Sequence, residues 1–265
     1  MTIAARPIRV ERADTSHQPH CVILPALTSA PSPRPPVRIF LGTEKAQVRA
    51  QRIFFYSVER VRDPAREYRI YLMKDIAGFD QSTWRTGFTN YRFAIPDFAG
   101  REGRAIYNDV DQIYFTDPAE LFDLPMAEHG YLAISAKDTS VMVMDCARMA
   151  QWWNLDQARQ AAKKTLTDTP AEQPGLWGEL DGHWNARDEE YEHNRTHVLH
   201  YTALHQQPWQ PTPRIYSYHP NALGDLWHRL EQEADAQYYG PFSRQAPSPW
   251  FEQALQALDT PDDSD

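Results

Sequence analysis

Asp109-Val110-Asp111, at the end of the short apolar run Ala105–Asn108, is the sharpest chemical feature of the sequence. Such a run reads as a strand, and in open α/β sheets ligands bind just beyond the carboxyl ends of strands. Carboxylates one residue apart in a turn can both reach one hard divalent ion such as Mg²⁺ or Mn²⁺, which takes oxygen ligands and can bridge them to a diphosphate. The spacing alone is not distinctive. With 21 aspartates in 265 residues, about two such pairs arise by chance, and a solvated acidic turn is the plain alternative. A second pair, Asp263-Ser264-Asp265, closes the acidic tail. His193, His197 and His200 would share one face of a helix and suit zinc. Thr196–Thr202 is β-branched and aromatic, however, so it reads as a strand, and there His197 and His200 point to opposite faces.

The elements that must position these residues follow an α/β pattern. Val37–Leu41 reads as a strand, Gly42-Thr43-Glu44 as a turn, and the chain through Glu59 as a helix with Val48, Ile53, Phe54 and Val58 on one side. Tyr68–Met73 and Ala105–Asn108 repeat the strand signal with separations long enough for crossovers, which predicts a mostly parallel central sheet with flanking helices. Asp117 and Pro118 mark a helix start, as N-cap and first helical residue. Tyr131–Ser135 and Ser140–Met144 read as further strands; helices are expected over Ala147–Leu166, Leu223–Ala236 and Pro249–Leu258. Seven prolines in the first 36 residues set apart a Pro-rich segment, 1–36, from a single domain over 37–258 and an acidic tail over 259–265.

Composition narrows the function. The balance of 27 Lys+Arg against 36 Asp+Glu gives a net charge of −9, which argues against a chain built to grip nucleic-acid phosphates or an anionic membrane. Two cysteines, Cys21 and Cys146, make neither a disulfide framework nor a Cys-rich zinc site. No apolar stretch approaches the length of a membrane span, and the N-terminus lacks the apolar core of a secretory signal, so a cytoplasmic location is expected. Neither GxGxxG nor GxxxxGK[ST] occurs, so a phosphate would be held by a metal ion and side chains rather than a glycine-lined loop.

The run GRAIYNDVDQIYFTDPAELFDLP over 103–125 resembles the segment around the metal-binding DxD motif of family 8 glycosyltransferases, which include glycogenin and bacterial galactosyltransferases. Four more segments are similar to that family in order: RIFLGTE at 38–44, FTNYRFAIPDF at 88–98, TSVMVMDC at 139–146 and VLHYTALHQQPW at 198–209. The resemblance implies a GT-A type, Rossmann-like fold and a metal-dependent, retaining transfer of a hexose from a UDP-sugar to a hydroxyl acceptor. It implies that Asp109, Asp111 and His200 hold Mn²⁺ or Mg²⁺. Leu41, Gly42 and Thr43 would line the base and ribose pocket, and Arg92 would reach the donor phosphates or sugar. Ser140 and Val141 would border the sugar, with Val110 and Trp209 completing the donor-binding set.

The chain departs from the family at three places. Gln207 stands where the family has a lysine two residues before the late tryptophan. Asp138-Thr139-Ser140 replaces the usual N-x-G, and Gln173 is the nearest match to an acidic D-Q site beside the sugar. Trp184-Asn185 forms a family-like W-N pair, whereas Lys163-Lys164 reads as a solvated helix end. Two other functions share these residues: a sugar-nucleotide-binding or interaction protein that has lost the chemistry, and a metal-dependent phosphohydrolase. The acceptor is not legible. The C-terminal aromatics Trp227, Tyr238, Tyr239, Trp250 and Phe251, with Leu230, suggest a surface for a partner or a second copy of the chain.

Overall fold

A computed structural model describes residues 9–11, 15–82, 84, 86–211, 216–237 and 239–240. The strands are β1 (Arg9–Glu11), β2 (His20–Leu24), β3 (Val37–Gly42), β4 (Tyr68–Met73), β5 (Arg104–Asp109), β6 (Gln112–Tyr114), β7 (Tyr131–Ala133), β8 (Val141–Asp145), β9 (Trp177–Glu179), β10 (Ala186–Arg187) and β11 (Val198–His200). The helices are α1 (Val48–Val61), α2 (Ile95–Phe98), α3 (Pro118–Phe122), α4 (Cys146–Met149), α5 (Leu155–Gln160), α6 (Lys163–Ala171) and α7 (Gly224–Ala236). Eight strands form the central sheet in the order β1-β2-β4-β3-β5-β8-β7-β9, and β10-β11-β6 form a small second sheet.

The fold is α/β, as expected, but the large sheet is mixed rather than mostly parallel. Its heart, β4-β3-β5, is parallel, as is β7-β9, whereas β1-β2, β2-β4, β5-β8 and β8-β7 pair antiparallel. The chain between β7 and β8 is too short for the dozen or more residues a parallel crossover needs, so β8 must run back. β3 (VRIFLG) is buried on both faces, the pattern of a central parallel strand.

Alternation along the strands divides the interior in two. Ile39, Leu41, Ile106, Val141 and Val143 point to one core, closed by α1, α7 and the small sheet. Phe40, Tyr107, Met142 and Met144 point to the other, closed by Phe93, Ile95, Trp153 and Leu166.

Three boundaries and one expected surface differ from the sequence reading. The sheet begins ahead of the Pro-rich stretch, because β2 pairs with the edge of β4 and buries Val22, Ile23 and Leu24. A start of the folded chain at residue 37 is therefore corrected. The single helix expected over 147–166 is three, α4, α5 and the start of α6; Asn154 accepts from Gln157 N and starts α5 afresh after the buried Trp153. The last β-like run shortens to β11. The expected aromatic surface is also corrected: Trp227, Leu230 and Tyr239 are core residues, packed with Trp209 and Tyr201. Tyr238, Trp250, Phe251 and the expected helix over 249–258 lie outside the described residues.

Candidate active site

Asp109 is the last residue of β5, fixed between its two neighbours: its N–H donates to Ser140 O at 3.3 Å, and the next N–H, of Val110, donates to Gly42 O at 3.0 Å. The chain then crosses into the small sheet, where β6 pairs with β11 and His200 lies opposite Gln112. Tyr201 N donates to Asp111 O at 2.9 Å. The junction of the two sheets thus puts Asp109, Asp111 and His200 together, with one ligand atom from each lying within 4.8 Å of the others.

Arg92 organises one side of this cluster. Its Nη2 donates to Asp109 Oδ1 at 2.9 Å, Nη1 to Thr139 O at 2.7 Å and Nε to Thr89 O at 3.0 Å. Its guanidinium lies 4.3 Å from the Tyr107 ring centroid, and Tyr107 Oη donates to the same Asp109 oxygen at 2.5 Å. Gly42 is required by this packing, since a Cβ there would lie 2.1 Å from Tyr107 Oη. Burial pushes the Asp109 carboxyl up from the usual carboxylate range; Arg92 opposes that shift and Asp111 adds to it.

His200 organises the other side. Asn185 Nδ2 donates to Ser140 Oγ at 2.9 Å and to Asp138 Oδ2 at 3.4 Å, and Ser140 Oγ spends its own proton on Asp138 Oδ1 at 2.6 Å. The amide orientation is therefore set, and Asn185 Oδ1 faces His200 Nδ1 at 2.9 Å. Nδ1 must carry a hydrogen, which leaves the lone pair of a neutral imidazole on Nε2. That nitrogen lies 3.1 Å from Asp111 Oδ1, a buried oxygen with no hydrogen-bond donor. Two lone pairs at this distance call for a cation between them. In its absence a proton serves: burial disfavours the imidazolium, but Asp111 and Asp109 outweigh burial and raise the His200 pKa. Two carboxylate oxygens and an imidazole nitrogen suit Mn²⁺ or Mg²⁺, so the donor set fits a divalent ion. No other such group of three occurs among the described residues.

The cluster forms one end of a cleft of about 630 Å³. Of the residues singled out from sequence, Arg92, Asp109, Asp111 and Ser140 line it, with His200 behind Asp111. Several others do not. Leu41, Val110 and Val141 are core side chains, Thr43 is buried on Gln51, and Trp209 is buried with its Nε1 donating to Gln47 at 2.5 Å. Gln173 donates to Thr169 O and is not among the cleft residues. These side chains support the site without facing it.

Six residues that the structure brings to the cleft or to the cluster at its end had weak or no sequence signal. Asp138, in place of the Asn of an N-x-G, receives Asn185 and Arg187 as well as Ser140. Gln207 Nε2 reaches Asp111 Oδ2 at 3.5 Å from the position where a lysine was anticipated. Lys137 and Lys163 line the cleft, the latter from the first turn of α6, as does Trp84. Only Asp138, Asn185 and Gln207 sat inside recognisable motifs. His197 instead turns to Thr116 and stacks on Trp184, with ring centroids 4.4 Å apart.

No family model and no curated protein matches the chain by sequence. Solved structures do match by fold. The apo structure of the bifunctional glycosyltransferase WbbM aligns at TM-score 0.54 and 11% identity, over 83% of this chain and 51% of that one. Apo GlyE, a glycosyltransferase of Streptococcus pneumoniae TIGR4, aligns at TM-score 0.56 and 15% identity, over 87% of this chain and 66% of that one. The galactosyltransferase LgtC, solved with donor and acceptor sugar analogs, aligns at TM-score 0.52 and 10% identity, over 79% of this chain and 98% of that one. The chain thus has the GT-A type fold of these glycosyltransferases. It spans about half the length of WbbM and about two thirds of GlyE.

Proposed function

We propose that the chain is a metal-dependent glycosyltransferase of the family 8 type, moving a hexose from a UDP-sugar to a hydroxyl acceptor with retention of configuration. The observation that carries this reading is the convergence of His200 Nε2 on Asp111 Oδ1 at 3.1 Å, beside Asp109 at the carboxyl end of a parallel strand. Ordered motif resemblance supports the donor class and the retention, and the fold shared with LgtC supports sugar transfer. A divalent ion held by Asp109, Asp111 and His200 supplies positive charge where a departing diphosphate accumulates negative charge.

The chain's own residues do the positioning. Arg92 and Tyr107 orient Asp109, Asn185 keeps the proton of His200 on Nδ1, and the Asp138 network fixes Ser140 at the cleft wall. Trp84 and Phe88 provide apolar walls that exclude water from part of the cleft. Among the described residues no helix is long and apolar enough to cross a membrane.

A second reading, a sugar-nucleotide-binding protein without turnover, is favoured by Gln207, a neutral group at the position of an expected diphosphate-binding lysine. Thermal unfolding with UDP, ADP and GDP, each with and without Mn²⁺, tests the donor site in the native chain and in Asp111→Asn. The reading requires one nucleotide to stabilise only when Mn²⁺ and Asp111 are both present. It is abandoned if no nucleotide does so. Sugar release or transfer across a panel of UDP-sugars then separates the enzyme from the non-catalytic binder.

A further inference from the structure

A second cavity of about 560 Å³ opens behind the sheet, at the amino ends of β3, β4 and β5. β5 carries Arg104 at this end and Asp109 at the other, and a six-residue strand separates them by roughly 17 Å. Four arginines line the cavity, Arg38, Arg66, Arg69 and Arg104, against two acids, Glu102 and Asp123.

The carboxylates do not balance the guanidiniums. Asp123 is held bidentately by the buried Arg66, at 2.6 and 3.1 Å, and again by Arg34 at 3.1 Å. Burial works against the Asp123 anion, but Arg66, Arg34 and Arg104 outweigh it and hold the carboxyl low, so a single negative charge serves three cations. Arg69 has Glu67 at 2.7 Å, and Glu102 is exposed.

Among the described residues, Arg38 and Arg104 bind only carbonyl oxygens. Arg38 donates to Arg104 O at 2.8 Å, Ala99 O at 3.0 Å and Glu102 O at 2.5 Å. Arg104 Nη1 donates to Phe122 O at 2.9 Å and Leu124 O at 2.8 Å, which leaves its Nε and Nη2 without an acceptor among the described residues. Carbonyl dipoles orient these forks but do not neutralise them. Pre-oriented guanidinium forks are the groups that bind phosphate oxygens bidentately. The remaining wall is apolar, made by Pro35, Pro36 and the Phe122 ring, and the volume lies in the range of small-molecule sites.

We propose that this cavity is a binding site for a phosphorylated small molecule, with the phosphate on Arg104 and Arg38 and the organic body against Phe122 and the two prolines. The site is separate from the donor cleft and does not depend on the function proposed for it. The test is thermal unfolding and titration calorimetry on the full chain in EDTA at constant ionic strength. Glucose 1-phosphate and inorganic phosphate are the probes, with glucose as the uncharged control.

Glucose 1-phosphate is expected to stabilise saturably and to bind at least tenfold tighter than inorganic phosphate, and glucose not at all. Arg104→Gln should weaken it about tenfold, as should Arg104→Lys, which keeps the charge and loses the fork, and Asp111→Asn should leave it unchanged. If Arg104→Gln fails to fold, Arg104→Lys carries the comparison. Absence of saturable binding overturns the proposal, as does binding lost in Asp111→Asn but kept in the arginine variants. Equal affinity for inorganic phosphate and glucose 1-phosphate overturns the assignment of an organic ligand.

Discussion

The seam between α1 and α7 and the floor of the cleft are built from the same residue types with opposite electrostatic outcomes. In the seam, Arg49 grips the fully buried Glu231 with two bonds of 2.5 and 2.6 Å and caps Trp209 O at 2.9 Å. Arg52 pairs with Asp235 one turn further along and donates to Tyr239 O at 3.0 Å. Each buried acid there has its own guanidinium. In the cleft, Arg92 answers Asp109, but Asp111 turns a bare oxygen to the lone pair of His200. A seam closed by paired charges holds the fold together, whereas a site one cation short is prepared to receive one. Buried polar groups acquire function where their pairing is left incomplete.

The contrast can be broken most sharply from the seam side. Arg49→Met leaves the Glu231 carboxylate buried without its partner, and loss of one member of a buried pair is expected to cost about 3 kcal/mol of stability. Chemical denaturation checks this, and Arg49→Met combined with Glu231→Leu should recover most of the loss. If the single variant is as stable as the native chain, the seam is not the structural half of the comparison.

Asp111→Asn is expected to act the opposite way. It should abolish metal-dependent stabilisation by UDP, worth about 2.7 kcal/mol at a hundredfold excess over Kd, while leaving the metal-free protein as stable as before or more so, because a like charge beside Asp109 is gone. Parallel melting curves with and without Mn²⁺ decide it, and a loss of metal-free stability would place Asp111 with the seam residues.

Asn185→Leu should weaken Mn²⁺ affinity by about ten- to a hundredfold, the usual effect of removing the group that orients a ligating imidazole. Calorimetric titration of Mn²⁺ measures it. An unchanged affinity would mean that the Asn185 contact does not set the His200 tautomer.

The smallest effect is a pH dependence. Burial raises the Glu231 pKa, but Arg49 and His228 outweigh it and the net shift is downward. A carboxylate lowered on folding adds stability above its unfolded pKa, about 4.3 for glutamate, and loses that stability as pH falls through the folded value. Between pH 5 and the acid transition the native chain should therefore lose stability more steeply than Glu231→Gln. Denaturation midpoints across that range would show it, and parallel slopes would contradict it.

Much of the site was legible where chemistry and strand position coincide. Asp109 and Asp111 stand at the end of a short apolar run, and His200 sits in a run whose β-branched neighbours exclude a helix, so those three could be named together through the family resemblance. Lys163 could not. In sequence it reads as a solvated helix end, and only the structure, which starts α6 afresh at Lys163, brings it to the cleft. Leu41, Val110 and Trp209 show the converse: each stands in a segment that resembles a family motif, but the structure turns its side chain into the core. The antiparallel half of the sheet and the early strand β2 were missed because pairing direction and edge partners depend on residues far apart in the chain.

Local order alone determined the α/β class, the strand that ends in Asp109, the strand that carries His200 and the excess of acid over base, because side-chain period, capping and composition are properties of neighbouring residues. The tertiary structure decided which carboxylate and imidazole meet at 3.1 Å, which arginines are neutralised and which are left charged at the back of the sheet. Those outcomes depend on distance and burial between segments up to 183 residues apart, and a buried ion pair or its absence exists only once the chain has brought both partners out of water.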